Sequence, residues 1–356
     1  MREAWWPAAL LVLVMASPAA AAGPPEDRLA RLGEIGRLLA GDGPAPADAE
    51  PLLAEILALA DAEVLDNLRT GGPFASAAFI QERLDTFTST WGGASFHVQP
   101  LGRPGETPLT LGVFSLAGAA PHGSVRAYGR APGGETSLLV AIAHDGAPEV
   151  HSWPAARDGS AQILATWLGA GSGGGGRPLQ VEVWRRGGRE GLERVWSAAT
   201  LFPDGLWALG FFVKGADISI RYEARYPGWK PGCDGQTEHV DLYRPDARRD
   251  APALARRQVV NGWHRELQAA VARLLAALPS RDPAPLAELV PDRSLRGRLP
   301  RGLAPEPACD QGSPDAPAGV TVAATEDRNG RLVPWSLSWR RAARGWRLSA
   351  AAPMLQ

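Results

Sequence analysis

The chain has 356 residues, with 37 Lys and Arg against 38 Asp and Glu, so its formal net charge is −1. All the basic residues except Lys214 and Lys230 are Arg, and they alternate with Asp and Glu instead of clustering. A nucleic-acid-binding protein would carry a basic stripe, so this pattern excludes a nucleic-acid partner and provides no field that attracts anionic lipid. The length predicts two or three domains.

Residues 1–22 have the layout of a secretory signal peptide. Arg2 gives a positive start, residues 5–15 are apolar, and small residues at 20–22 precede Gly23. The apolar run is shorter than the roughly 20 residues that cross a bilayer. We therefore predict a protein exported to the periplasm or beyond the cell, with no transmembrane segment after cleavage. The alternative is an uncleaved anchor or a buried first helix.

Residues 23–92 are predicted to form a helical segment. Apolar residues recur at three- and four-residue steps, which is typical of core-facing helix surfaces. Pro51 suits the first turn of the second helix, and a third helix is expected from near Pro73 to Gly92. The carboxylates of this segment are interpreted as a solvated face: Asp61, Glu63, Asp66, Glu82 and Asp85.

Residues 93–245 change to a period of two. In "ADISIRYEARY", starting at Ala216, apolar and aromatic residues alternate with charged ones, which predicts a half-buried strand. Further short runs of this kind are separated by turn residues. The turns are at Asp145-Gly146, Asp158-Gly159, Gly187-Gly188 and Asp204-Gly205. An antiparallel all-β sandwich or barrel follows from this spacing.

The segment "RPDARRDAP", residues 244–252, is interpreted as a charged hinge before a tail domain at 251–356. A clean helical stripe runs from Val260 to Leu278, and strand-like pieces follow, two of them joined by Asn329-Gly330. A long helix followed by a hairpin sheet resembles the NTF2-like domains. That resemblance implies a small α+β tail and carries no function. The predicted fold class is therefore α+β with several domains.

Cys233 and Cys309 are the two cysteines of the chain, and each lies in a polar loop. In an exported chain they most simply pair as a disulfide. Free thiols are one alternative. The other is a metal site that uses Cys233, His239 and nearby carboxylates, although a structural zinc site normally takes four Cys or His ligands. We predict the disulfide, no metal and no cofactor.

The residues around Cys233 also supply the candidate binding residues Trp229, Tyr243 and His239. Together with Tyr226, the two aromatics could form a stacking platform for a sugar or a peptide, because exposed aromatic rings favour interfaces. Strand alternation explains Tyr226 equally well as a core residue. Trp229 lies in a turn, so its exposure is left open.

Other residues suggest chemistry but do not form a catalytic set. Ser172 lies in a glycine run that cannot start the helix that a nucleophile elbow requires. His264, with Glu266, could act as an acid or base in the tail. His144 and His151 could meet across a predicted hairpin and bind a metal with Asp145. Each has an ordinary structural explanation, and we predict no catalytic residue.

These observations favour a non-catalytic exported protein that binds an unidentified ligand or a component of the cell envelope. One alternative is a hydrolase acting on envelope material, with His239 and nearby carboxylates as acid and base. Another is a small-molecule carrier with a tail pocket near Trp263, Trp335 and Trp346.

Overall fold

The fold is taken from a computed structural model that describes residues 24–40, 46–102, 108–117, 122–171, 175–187, 191–246, 248–310 and 317–354. The predicted signal peptide and Ser172 lie outside these residues. The chain divides into two compact units, Met1–Ala94 and Ser95–Gln356. Helices come first, antiparallel sheets follow, and helices with a small sheet end the chain, so the fold is α+β. The finer domain boundaries stay a prediction.

The first unit contains three helices: α1 (Pro25–Ala40), α2 (Pro46–Thr70) and α3 (Ala77–Thr90). The predicted apolar stripes supply a core in which Leu32, Ile56 and Leu84 are fully inaccessible, but Leu38 and Phe74 of these stripes are exposed. Two predicted helix starts were wrong. Helix α2 begins upstream of Pro51. A 3-10 turn precedes α3, which begins where the side chain of Ser76 accepts the amide of Phe79.

Glu63 does not lie on a solvated face, as its sequence position had suggested. Its side chain is only 2% exposed. It accepts hydrogen bonds from Arg28 Nη1 at 3.0 Å and Arg83 Nε at 2.7 Å. One carboxylate of α2 therefore joins α1 and α3, and a buried charge is tolerated because it is paired on both sides.

The second unit is built from antiparallel strands. Those of the central sheets are β1 (Ala94–Leu101), β2 (Leu109–Leu116), β3 (His122–Arg130), β4 (Thr136–Asp145), β5 (Ala147–Trp153), β6 (Gln162–Leu168), β7 (Arg177–Gly187), β8 (Gly191–Ser197), β9 (Trp207–Lys214), β10 (Asp217–Glu223), β11 (Glu238–Asp246) and β12 (Ala251–Val260). Strands β1 to β4 form one sheet in chain order. The larger sheet has the order β12-β11-β10-β9-β7-β6-β5, with β8 added to β7.

Strand β6 is buried on both faces. Its residue Leu164 packs into a core with Ile218 and Ile220 of β10. Its neighbours Ile163 and Trp167 pack instead against β2, β3 and β4. The smaller sheet thus covers one face of the larger sheet. This explains why β6 lacks a polar face, as expected for a strand covered on both sides.

The charged segment 244–252 is not a hinge. It forms the tip of the β11–β12 hairpin, where Pro245 pairs with Pro252 and Asp246 with Ala251. Asp250 takes the left-handed conformation that turns the chain (φ 53°). Its carbonyl also accepts the side-chain amide of Gln162 at 3.2 Å. Strand β12 consequently belongs to the larger sheet.

The tail combines helices α4 (Gly262–Ala277), α5 (Pro283–Leu289) and α6 (Arg293–Arg298) with a sheet of β13 (Leu303–Pro305), β14 (Gly319–Arg328), β15 (Arg331–Ala342) and β16 (Gly345–Pro353). The predicted long helix and the Asn329-Gly330 turn are both present, and both turn residues have positive φ. Among the described residues, no helix has the length and apolar character needed to cross a membrane.

Candidate functional site

The predicted disulfide is confirmed: Cys233 is bonded to Cys309 across 76 positions of sequence. The bonded sulfur of Cys233 is no thiolate, so it provides neither the metal ligand nor the nucleophile of the alternative interpretations. Within the residues that the structure describes, no group of three or more His, Cys, Asp or Glu side chains could hold a metal ion.

Cys233 lies in a long connection between β10 and β11, residues 224–237, which we call the 224–237 loop. Most hairpin loops have about two to five residues, and longer ones are often functional. Tight turns shape this loop: the amide of Trp229 donates to the carbonyl of Tyr226 at 2.9 Å. Gly228 has φ 91°, and a Cβ at that position would lie 2.5 Å from Gln268 Oε1. The loop is therefore pressed against α4.

A buried polar network holds the back of this loop. Asp310 follows Cys309 and accepts Lys230 Nζ at 2.9 Å and His264 Nε2 at 3.0 Å. Gln268 donates to the same carboxylate. The other ring nitrogen of His264 lies 2.6 Å from the hydroxyl of Tyr226. One carboxylate thus joins the loop to α4.

Protonation in this network follows from its contacts. Tyr226 Oη accepts the amide of Thr237 at 3.2 Å and contacts His264 Nδ1, so one hydroxyl joins the backbone of the loop to α4. Burial by itself would raise the pKa of Asp310, but the hydrogen bonds from His264 and Lys230 outweigh it and hold that pKa below its usual range. Burial raises the pKa of Tyr226. At neutral pH the network is an ionised carboxylate surrounded by donors.

The front of the 224–237 loop forms one wall of a cleft, which we call the Trp229 cleft. Its volume is about 400 Å³. It is lined by Gly176, Leu201, Phe202, Pro203, Asp204, Gly205, Leu206, Trp207, Leu209, Tyr222, Glu223, Arg225, Trp229, Pro231 and Gly232. Small-molecule sites typically have about 300–1,000 Å³ and apolar or aromatic walls with a few polar groups. The cleft fits that description.

Trp229 is half-buried and its ring has two charged neighbours. Its indole Nε1 donates to Glu223 Oε2 at 3.0 Å. The guanidinium of Arg225 lies 5.4 Å from the centre of the ring, which is cation–π distance. Burial, together with the carboxylates of Glu238 and Asp234, raises the pKa of Glu223. The ring is therefore fixed beside one acceptor and one donor.

The part of the lining that lies outside the 224–237 loop exposes apolar side chains. Leu201 is 51% exposed and Trp207 is 42% exposed. They flank the predicted Asp204-Gly205 turn, where the amide of Gly205 donates to the carbonyl of Phe202 at 3.0 Å. Large apolar side chains left in water around a concave surface mark interaction sites.

Tyr243, a predicted binding residue, is not part of this surface. It pairs with Ile218 in the β10–β11 register and so points to the same core, where it is only 3% exposed. Its hydroxyl donates to Asp241 Oδ2 at 3.2 Å. The predicted platform of three aromatics therefore does not form, and a stacking role for Tyr243 is corrected to a core role.

His239 faces a second buried network. Its Nδ1 lies 3.3 Å from the hydroxyl of Tyr222. That hydroxyl donates to Asp241 Oδ2 at 3.0 Å, and Arg257 holds both oxygens of Asp241 at 2.7 Å. Burial and the neighbouring Arg257 lower the pKa of His239. His239 is not among the residues that line the Trp229 cleft.

The other candidate histidines do not form the predicted pairs. Strands β4 and β5 lie in different sheets, so His144 and His151 do not meet across a hairpin. His144 faces the buried carboxylate of Glu182 at 3.6 Å. His264 is buried, whereas Glu266 points outward to Arg341 at 3.8 Å. His264 and Glu266 therefore do not act as a pair.

Sequence reasoning missed Asp310 and Lys230, and it missed the cleft residues that lie outside the 224–237 loop. One signal could have indicated Lys230: it is one of only two lysines in an arginine-rich chain, and it lies three residues before Cys233 in the 224–237 loop. Asp310 is adjacent to a cysteine, which places it at the junction once the disulfide is known. Nothing local to Trp207 indicates that it lines the same cleft as Trp229.

Comparison with known proteins adds no relative to this description. The chain matches no protein-family model, and no curated protein resembles it closely enough to indicate common ancestry.

Proposed function

We propose that this is an exported, non-catalytic binding protein and that the Trp229 cleft takes a saccharide of the cell envelope. The observation that carries the proposal is the cleft itself: its lining brings together the exposed Trp207, the half-buried Trp229 and the charged side chains of Asp204, Glu223 and Arg225.

A saccharide fits this chemistry because one face of a sugar ring presents C–H groups and its rim presents hydroxyls. Aromatic rings bind the C–H face, since their own faces carry partial negative charge. Glu223 and Asp204 can accept hydroxyl protons, and Arg225 can donate to hydroxyl oxygens. Two carboxylates and one guanidinium give a formal charge of −1, a weak field that favours a neutral or weakly charged ligand.

The network around His239 weighs against the hydrolase alternative. Burial and the adjacent Asp241 raise the pKa of Tyr222 to about 12, so its hydroxyl stays protonated. Asp241 is fully buried and paired with Arg257 through both oxygens, which suits an anchor better than a general acid or base. His239 contacts Tyr222, which lines the cleft, but His239 itself is not a lining residue.

The carrier alternative has less support than the cleft. Trp263, Trp335 and Trp346 pack together with helix α4 in the tail core and are at most 7% exposed. The groove beside Trp346 has about 170 Å³ and is lined by charged residues such as Glu266 and Arg273. A hydrophobic ligand would find little apolar surface there.

Export and the finer fold assignments belong to the same proposal. The disulfide supports export, because such bonds persist in oxidising compartments. The smaller sheet packed on β6 supports a sandwich rather than a barrel. Helix α4 packed on the tail sheet supports an NTF2-like tail.

The test is capture of soluble envelope saccharides by the purified chain, using peptidoglycan fragments, lipopolysaccharide core oligosaccharides and neutral glucans. We expect Trp229→Ala to lower the affinity for the captured saccharide by about tenfold or more, because a central aromatic anchor is lost. We also expect it to change the free energy of unfolding by less than about 1 kcal/mol.

Phe212→Ala is the matched control. Phe212 is 58% exposed on β9, the strand that begins at Trp207, but it does not line the cleft. It should leave saccharide affinity unchanged. Equal affinities for the wild type and Trp229→Ala would contradict the proposal, and a loss of binding that merely tracks a loss of stability would make Trp229 a packing residue.

A further inference from the structure

The Trp229 cleft is formed in front by a loop that is held from behind by another part of the chain. Lys230 directly follows Trp229, and its ammonium reaches Asp310 Oδ1 at 2.9 Å and the carbonyl of Ala308. The side chains of Lys230 and Asp310 are only 11% and 4% exposed. An ion pair this well buried restrains the residue next to it.

A second chain of contacts reaches the same carboxylate from the other end of the turn. Tyr226 precedes Trp229 and bonds to His264 Nδ1 at 2.6 Å, and His264 Nε2 lies 3.0 Å from Asp310 Oδ2. Trp229 is thus bracketed by two anchors, and both end on Asp310. The two residues on either side of the aromatic ring are fixed by one group.

We propose that Asp310 is a positioning residue for the Trp229 cleft, setting the place of the Trp229 ring through Lys230 on one side and Tyr226 on the other. This inference rests on the proposed function for its consequence in binding. Its structural half, that Asp310 orders the loop, stands independently. A binding group needs such support, since a site about 1 Å too loose loses its effect.

The disulfide supports Asp310 without replacing it. It ties Cys233 of the loop to Cys309, the neighbour of Asp310, and so keeps the two segments close. Cys233 lies after Trp229, beyond the turn that carries the ring. The covalent bond therefore limits how far the loop can move, whereas Asp310 fixes the two residues that flank the turn.

The test substitutes Asp310→Asn, which keeps the shape of the side chain and removes its charge. Amide hydrogen exchange is measured on the full chain, without ligand. We expect exchange in residues 226–236 to become about tenfold faster or more, with other segments little changed. Affinity for the saccharide captured by the wild type should fall by about tenfold.

Lys230→Met is the second variant, and it breaks the same pair from the loop side while keeping an unbranched chain. It should also speed exchange at 226–236, and it serves if Asp310→Asn fails to fold. Asp241→Asn is the control, since Asp241 is an equally buried carboxylate that does not contact the loop. It should leave exchange at 226–236 unchanged.

The outcomes separate the two proposals. Unchanged loop exchange in both Asp310→Asn and Lys230→Met would overturn the positioning role, even if the wild type binds saccharide. Faster loop exchange in a protein that captures no saccharide would support the positioning role and overturn the proposed function. Equal acceleration in Asp241→Asn would reduce the effect to general destabilisation and overturn the inference.

Discussion

Two buried carboxylates, Asp241 and Asp310, have the same chemistry but differ in what they connect. Both are ionised and surrounded by donors. The donors of Asp241 come from three adjacent strands: Tyr222 on β10, Tyr243 on β11 and Arg257 on β12. The donors of Asp310 come from the 224–237 loop and from α4: Lys230, His264 and Gln268.

This difference in partners gives the two carboxylates different roles: one stabilises the sheet and the other positions a loop. Strand register places Asp241 opposite Ile220 and Arg257, so its partners would stay close even without it. Nothing in a sheet register keeps Lys230 near Asp310, which lies 80 positions away. We infer that Asp241 stabilises a structure already specified by pairing, whereas Asp310 determines where a loop lies.

The largest expected effect comes from the Cys233–Cys309 disulfide, which ties the 224–237 loop to the segment that carries Asp310. Removing the disulfide with Cys233→Ser and Cys309→Ser together should lower the free energy of unfolding by about 4.5 kcal/mol, because the unfolded chain regains a loop closed over 76 positions. Chemical denaturation of the double variant and the wild type measures this. A loss below about 1 kcal/mol would show that the polar network around Asp310 holds the loop without the disulfide.

The next effect belongs to Asp241. Asp241→Asn should lower the free energy of unfolding by about 2–3 kcal/mol, because it leaves the Arg257 guanidinium without its partner beside a buried site. Asp217→Asn is the matched control: Arg244 of β11 binds Asp217 of β10 through two nitrogens at 2.9 and 3.0 Å, but this pair between neighbouring strands is exposed to water. An exposed pair should contribute less than about 1 kcal/mol. Equal losses would show that burial adds nothing to the Asp241 pair.

The smallest expected effect is a pH dependence of the difference in unfolding free energy between the wild type and Asp241→Asn. Burial alone would raise the pKa of Asp241, but hydrogen bonds from Arg257 and Tyr222 lower it overall. A carboxyl whose pKa is depressed by folding stabilises the protein above its unfolded pKa of about 3.9, and this contribution is lost as the pH falls below that value. The stability gap between the wild type and Asp241→Asn should therefore narrow below about pH 4. A gap that stays constant down to pH 2.5 would contradict the assignment.

Sequence patterns predicted the features that depend on residues adjacent in the sequence, such as turns. The Asn329-Gly330 turn was predicted, and both residues have the positive φ that such a turn needs. The Asp145-Gly146 pair looked the same in sequence, yet it forms a corner between two sheets, and only its glycine has positive φ. The local signal gives a turn; which strands pair on either side depends on contacts far along the chain.

The candidate site was predicted only in part, for the same reason. Cysteine number and probable compartment were enough for the disulfide. Alternation gave the strand around Tyr222 but could not show that Tyr243 joins the same core, because that depends on the β10–β11 register. The lining of the Trp229 cleft and the contacts of Asp310 bring together residues that no short window of sequence contains.

The most direct test of the cleft compares tryptophan oxidation by hydroxyl radicals in the presence and absence of the captured saccharide, with the modified residues identified by mass spectrometry. We expect the saccharide to protect Trp207 and Trp229 and to leave Trp184 and Trp196, which do not line the cleft, unchanged. Equal protection of all four, or none at Trp207 and Trp229, would contradict a saccharide site between these two rings.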